Sequence, residues 1–249
     1  MVRSRLITIL AAGAVLCAVL AGCAAPEPEP APTESTAPSH PLPQASEASA
    51  PVQVGVGQVA TAVGPEVVAL DAPDGTEVAR FANPVESGAP LVFLVEAAES
   101  DWLRVKLPMR PNGSIGWVPA SEVTMAALDY SLEVSTADRT VTLLENNEPV
   151  QVFTAAIGTG DTPTPTGSFY LTELLAPTNE GYGPYAYGIS AFSDVLNSFG
   201  GGPGQIGMHG TDDAGSIGEA ASHGCIRLSN DDITYLAGIL PLGTPITIS

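Results

Sequence analysis

Ser222-His223-Gly224-Cys225-Ile226-Arg227-Leu228-Ser229-Asn230, with His209-Gly210 upstream of it, brings one thiol and two imidazoles together in a chain that has only three histidines. A cysteine near a histidine is the pairing of a nucleophile with its general base. Gly224 beside Cys225 removes a side chain where a backbone would approach a ligand closely. Neither His223 nor Gly224 is a residue that fills a core. The competing reading of Cys225 is a small buried hydrophobe with an inert thiol.

The other end of the chain sets the compartment. Arg3 and Arg5 precede an apolar run, Leu6 to Leu20, in the pattern of a secretory signal. The run ends at Leu20-Ala21-Gly22-Cys23, which resembles a bacterial lipobox. That resemblance implies cleavage after Gly22 and a diacylglyceryl group on Cys23. Each buried CH₂ of an acyl chain contributes roughly 0.8 kcal/mol, so a multiply acylated Cys23 would hold the protein on the outer face of the cell membrane, facing the wall. Plain secretion and a retained membrane anchor are the alternatives. With Cys17 in the signal and Cys23 lipidated, Cys225 is left as a lone thiol without a disulfide partner in an oxidising compartment.

Residues 24–51 are Ala, Pro, Ser, Glu and Thr with almost no large apolar side chain. Such a segment cannot bury enough surface to offset its chain entropy and is expected to be a disordered tether. His40 lies within it and is assigned no role. The net charge of −19 goes with an expectation of no nucleic-acid partner.

Beyond the tether, composition favours two β-rich domains, 52–125 and 126–249. The first has short apolar segments (Val67–Leu70, Leu91–Val95, Trp102–Leu107, Ile115–Val118) between Gly, Pro, Asn and Asp turns, the spacing of a small all-β barrel. Trp102 and Trp117 are either core or a ligand-stacking pair. Arg104, Lys106 and Arg110 form either a solvated face or a contact for an anionic polymer. The second domain opens with strands at Leu132–Ser135, Thr140–Leu144 and Val150–Phe153. Thr162-Pro163-Thr164-Pro165-Thr166-Gly167 breaks regular structure before the strand Phe169–Leu171. The segment from Pro177 to Tyr187, with three tyrosines, is a lid or ordinary surface. A helix capped by Ser229 or Asn230 carries Ile233, Leu236, Ala237 and Leu240 on one face and stops at Pro241. The strand Pro245–Ile248 closes the chain.

The first domain's Trp102-Leu103-Arg104-Val105 followed by Gly116-Trp117-Val118 resembles the last strands of bacterial Src-homology-type barrels. The order of parts in residues 127–249 (hairpin, TPTPTG before an aromatic strand, IGMHGT, SHGCIRLSN, closing helix and strand) resembles a YkuD-type L,D-transpeptidase catalytic domain. The expected fold is mainly β with few helices. The resemblance implies acyl transfer on peptidoglycan stem peptides through a cysteine thioester: a donor tetrapeptide loses its terminal D-Ala, and a neighbouring stem takes the acyl group to form a 3→3 cross-link. It also implies acylation by carbapenems. No cofactor and no metal are called for.

The resemblance places Cys225 as nucleophile and His209 as base, with the other ring nitrogen held by a backbone carbonyl such as that of Gly210. Backbone N–H groups at His223, Gly224 and Cys225 are candidates for the oxyanion, with Ser222 orienting their loop and His223 lining the site. Arg227 is the candidate for a substrate carboxylate or for bracing the site. An L,D-carboxypeptidase would share every one of these residues. A non-catalytic wall-binding lipoprotein and a metal hydrolase using His209, His223 and Cys225 are readings from other classes.

Overall fold

A computed structural model of the chain describes residues 56–199 and 201–249. The expected signal, the lipobox with Cys23 and the tether to Pro51 lie outside the described residues.

Strands β1 (Gly57–Ala62), β2 (Glu66–Leu70), β3 (Glu77–Ala82), β4 (Val92–Glu99), β5 (Trp102–Lys106), β6 (Ile115–Pro119) and β7 (Val123–Leu128) form a seven-stranded sheet in the order β3-β2-β6-β5-β4-β1-β7. Every pairing in it is antiparallel. Alternation explains its core: Leu103 and Val105 of β5 point inward with Val118 of β6, against Phe93 and Leu91. Trp102 and Trp117 fall on the opposite, half-buried face of the same strands and are not in that core. The expected boundary between 125 and 126 falls inside β7, which stays paired with β1 as far as Leu128.

The second sheet has eight strands. In chain order its part of the molecule runs β8 (Tyr130–Ser135), β9 (Thr140–Glu145), β10 (Glu148–Thr154), β11 (Ile157–Gly158), β12 (Gly167–Leu175), β13 (Ala186–Phe192), β14 (Gln205–His209), β15 (Ala220–Ser222), β16 (Ile226–Arg227), helix α1 (Asn230–Ala237) and β17 (Pro245–Ile248). The sheet order is β10-β9-β8-β17-β12-β13-β14-β16, and β11 pairs separately with β15. Its core takes Leu132, Val141, Leu143, Phe169, Leu171, Ile189, Met208, Ile226 and, from the helix, Ile233 and Leu236. Ser229 caps the helix by accepting from Asp232 N–H at 3.1 Å. The helix ends at Ala237, and Leu240 packs on the core from beyond it. Tyr187 Oη shares its proton between the carbonyls of Leu236, in the last turn of the helix, and Leu240, just beyond it, tying β13 to the helix end.

The two sheets share a third apolar cluster, Val59, Val92, Leu94, Leu128 and Tyr170. Arg110 reaches across as well, donating to the carbonyls of Pro203 (2.7 Å), Ser193 and Leu196 (both 2.9 Å) while its guanidinium lies 4.9 Å from the Phe192 ring centre. Arg104 and Lys106 both pair with Glu96. The basic trio of the first domain is therefore occupied within the molecule.

Candidate active site

Strand β14 carries His209 at its end, and the parallel strand β16 lies beside it with Arg227 in register with His209. Cys225 is the residue just before β16, half-buried and free. The amide of Gly207 donates to its Sγ at 3.4 Å. A Cβ at Gly207 would lie 3.9 Å from that sulfur and 3.8 Å from Cδ2 of His209. Residues two apart on a strand share a face, so the missing side chain at Gly207 opens one space onto which both thiol and imidazole look.

The tautomer of His209 follows from its partner. Its Nδ1 lies 2.5 Å from the Gly210 carbonyl, which only accepts, so Nδ1 carries the proton and Nε2 is free to take one. Gly210 is itself held without room for a side chain, since a Cβ there would sit 2.3 Å from Asn230 Oδ1. Burial pushes the Cys225 thiol up, against smaller downward effects of the Gly207 amide and Arg227. Burial also lowers His209, with Arg227 adding to that and the Gly210 carbonyl opposing it. Both directions favour a neutral thiol beside a neutral imidazole at rest. Such a pair can pass the proton from sulfur to Nε2 as the sulfur attacks.

The SHGC loop is held from two sides. Ser222 Oγ donates to the Cys225 carbonyl (2.5 Å) and accepts from Gly224 N–H (3.1 Å). This corrects one expectation: the Gly224 amide is committed to Ser222, so the amides of His223 and Cys225 are the ones left for an oxyanion. Gly224 has φ of +119°, and a Cβ there would lie 3.0 Å from Ile206 Cδ1, so the loop needs glycine on both counts. From the other side, Thr164 Oγ1 donates to the Gly224 carbonyl and accepts from Gly158 N–H, each at 2.9 Å and buried. Thr164→Val would leave two buried backbone groups unpaired, at about 1–3 kcal/mol each. A drop in thermal stability of that order in a melt is expected, and a melt unchanged from wild type would remove Thr164 from this role.

His223 is exposed, with its ring stacked on Phe199 at 5.2 Å between centres. Arg227 has a buried Nε without a hydrogen-bond partner and no ion pair among the described residues. Its charge is thus available to a ligand. Three further residues were not singled out by the sequence. Tyr182 lies 4.5 Å from the His209 ring, Phe199 lines the site, and Glu173 of β12 shares a cavity with Cys225 and His209. The tyrosine-rich segment divides accordingly: Tyr182 faces the site, whereas Tyr185 and Tyr187 pack on the core.

Two cavities meet at the thiol. One, about 380 Å³, takes Glu173, Tyr182, Gly188, Gly207, His209 and Cys225; the other, about 260 Å³, takes His209, Ser222, His223, Cys225 and Arg227. Among the described residues no group of His, Cys and acidic side chains is arranged to hold a metal ion.

Residues 129–248 match the YkuD family, described as the L,D-transpeptidase catalytic domain. YkuD of Bacillus subtilis (strain 168) is 38% identical over 123 residues, 49% of this chain and 67% of that protein. YkuD of Bacillus licheniformis is 33% identical over 122 residues, again 49% and 67%. Among solved structures, L,D-transpeptidase 3 from Mycobacterium tuberculosis, in complex with a faropenem-derived adduct, is 16% identical, covers 64% of this chain and 91% of its own, and has a TM-score of 0.45. By sequence match over the stretch that builds both cavities, the chain belongs to the YkuD family of L,D-transpeptidases.

Proposed function

We propose that the protein is a peptidoglycan L,D-transpeptidase that forms 3→3 cross-links through a thioester on Cys225. The observation that carries this reading is that the Cys225 thiol and the His209 imidazole, whose Nδ1 is held by the Gly210 carbonyl, both line each of the two cavities. In the first half-reaction Sγ adds to the carbonyl carbon of the donor's third residue as Nε2 of His209 takes the thiol proton. The tetrahedral oxyanion is received by backbone amides. Collapse breaks the C–N bond to the terminal D-Ala, whose amine leaves with the proton from His209. In the second, an amine of an acceptor stem attacks the thioester, gives its proton to His209, and frees the sulfur. The smaller cavity, with the unpaired Arg227, suits the carboxylate of the leaving D-Ala.

An L,D-carboxypeptidase differs only in that water takes the acceptor's place. Incubation of the protein with a disaccharide tetrapeptide, read by mass spectrometry, separates the readings. Dimer with loss of D-Ala is expected, tripeptide alone would make it a carboxypeptidase, and no turnover would leave a wall-binding module. Cys23 as a lipid anchor on the outer membrane face, and residues 52–125 as a Src-homology-type barrel, belong to this proposal. Globomycin-sensitive processing and membrane fractionation test the anchor.

A further inference from the structure

We infer that Glu173 is a specificity-determining residue that receives the terminal ammonium of the diamino acid at position three of the donor stem, an inference that rests on the transpeptidase reading. The ladder between β12 and β13 is irregular: Leu171 pairs with Ile189, but Glu173 pairs with the very next residue back, Gly188. One extra residue, Thr172, is absorbed there. Without it Glu173 would alternate onto the core side; the bulge turns it onto the face that carries Gly207 and His209. Thr172 is pinned by Gln205 Nε2, which donates both to its Oγ1 (3.1 Å) and to the Ile189 carbonyl (3.0 Å).

From Glu173 the register runs straight to the nucleophile. Glu173 opposes Gly188, and Gly188 opposes Gly207, whose amide holds Cys225 Sγ. Two glycines in adjacent strands leave a trough whose Gly188 end is covered by Glu173 and Thr172 Oγ1 and whose Gly207 end opens toward the thiol. The carboxylate lies over the first of them: a Cβ at Gly188 would be 2.8 Å from Glu173 Oε1. Only one ladder step of about 5 Å then separates the carboxylate's place over Gly188 from Gly207, whose Cβ position lies 3.9 Å from Sγ, so the carboxylate is no more than about 12 Å from the sulfur. Glu173 is half-buried and makes neither an ion pair nor a side-chain hydrogen bond among the described residues. Arg80, which lines the adjoining cleft, is already paired with Glu66 and Glu77.

A carboxylate without a partner, facing a substrate cavity at that distance, calls for a cation on the substrate. In a lysine-like or diaminopimelate-like residue the carbonyl carbon and the terminal nitrogen are six bonds apart, about 7.5 Å when extended. Adding the carbon–sulfur bond and a charge-assisted hydrogen bond of about 2.8 Å spans the trough. The acceptor's amine does not fit this place, because a nucleophile must come to within about 3.5 Å of the thioester carbon. The ammonium at Glu173 is therefore the donor's own.

The test is a cycle of two donors and two proteins, reading release of D-Ala by the full chain. The donors are a tetrapeptide stem with a free third-residue amine and the same stem N-acetylated there. Wild type should favour the free amine by about 10- to 100-fold in kcat/KM. Glu173→Gln should lose that factor on the free-amine donor and lose nothing further on the acetylated one; Glu173→Asp should restore part of it. Gly188→Ala, whose methyl would displace the carboxylate, should act like Glu173→Gln. Equal preference in wild type and Glu173→Gln overturns the inference while leaving the transpeptidase reading intact. Failure of wild type to release D-Ala from either donor overturns that reading itself. Turnover of the acetylated donor by Glu173→Gln reports that the variant is folded.

Discussion

Cys225→Ser is expected to lower donor turnover by at least 10³-fold while leaving the fold unchanged. A serine hydroxyl is much harder than a thiol for a neighbouring imidazole to ionise, and burial already holds even the thiol above its ordinary range. Sulfur to oxygen is a small change of volume at a half-buried position, so little stability should be lost. The same variant should take up no carbapenem. Near-wild-type turnover by Cys225→Ser, or an adduct that survives in Cys225→Ala, would remove Cys225 from the nucleophile's role.

The second large effect is expected at His209. General base assistance is worth roughly 10² to 10⁴ in rate, and His209→Ala should lose an amount in that range at neutral pH. The pH dependence carries the diagnosis. Burial lowers His209, so the wild-type enzyme should keep its base unprotonated, and its rate, to below the ordinary imidazole range near pH 6.5. Without the imidazole, hydroxide must make the thiolate. Because burial raises Cys225, recovery in His209→Ala should set in only above the ordinary range of a cysteine thiol. His223 is exposed and stacked on Phe199, so His223→Ala should show a milder defect with no alkaline recovery. Rates of carbapenem adduct formation against pH for both variants decide this, and the deeper, alkali-rescued loss in His223→Ala would exchange the two roles.

The hairpin β8–β9 and the final strand were legible because their apolar residues alternate between a wet and a buried face, and β12 from its consecutive apolar residues Phe169, Tyr170 and Leu171, all buried. The helix was legible from its serine cap and its apolar spacing. Strands β13 and β14 were not. Ala186–Phe192 is buried on nearly every residue and shows no alternation, and on its catalytic face stands Gly188 where a patterned strand would carry a side chain. The same is true of Gly207. The features that clear a path to the thiol are thus the ones that erase the strand signal.

The site shows the same division. Cys225, His209 and Gly210 lie in motifs whose chemistry can be read along the chain. Glu173 cannot be, because its orientation depends on a bulge in register with a strand that was itself invisible. Thr164 sits in a threonine-proline run that reads as a break, yet it joins Gly158 to Gly224, which lies 60 residues beyond Thr164 in sequence. Tyr182 meets His209 only once β14 is in place.

The central claim is that Cys225 carries the donor's acyl group, and intact-mass analysis of the protein quenched in acid during turnover tests it most directly. With a tetrapeptide donor whose third-residue amine is acetylated, so that no acceptor is present, the account predicts a mass gain equal to the donor less its terminal D-Ala, mapped to the peptide containing Cys225, labile to hydroxylamine and discharged when an acceptor amine is added. D-Ala release by wild type with no adduct at Cys225, or the same adduct on Cys225→Ala, would contradict it.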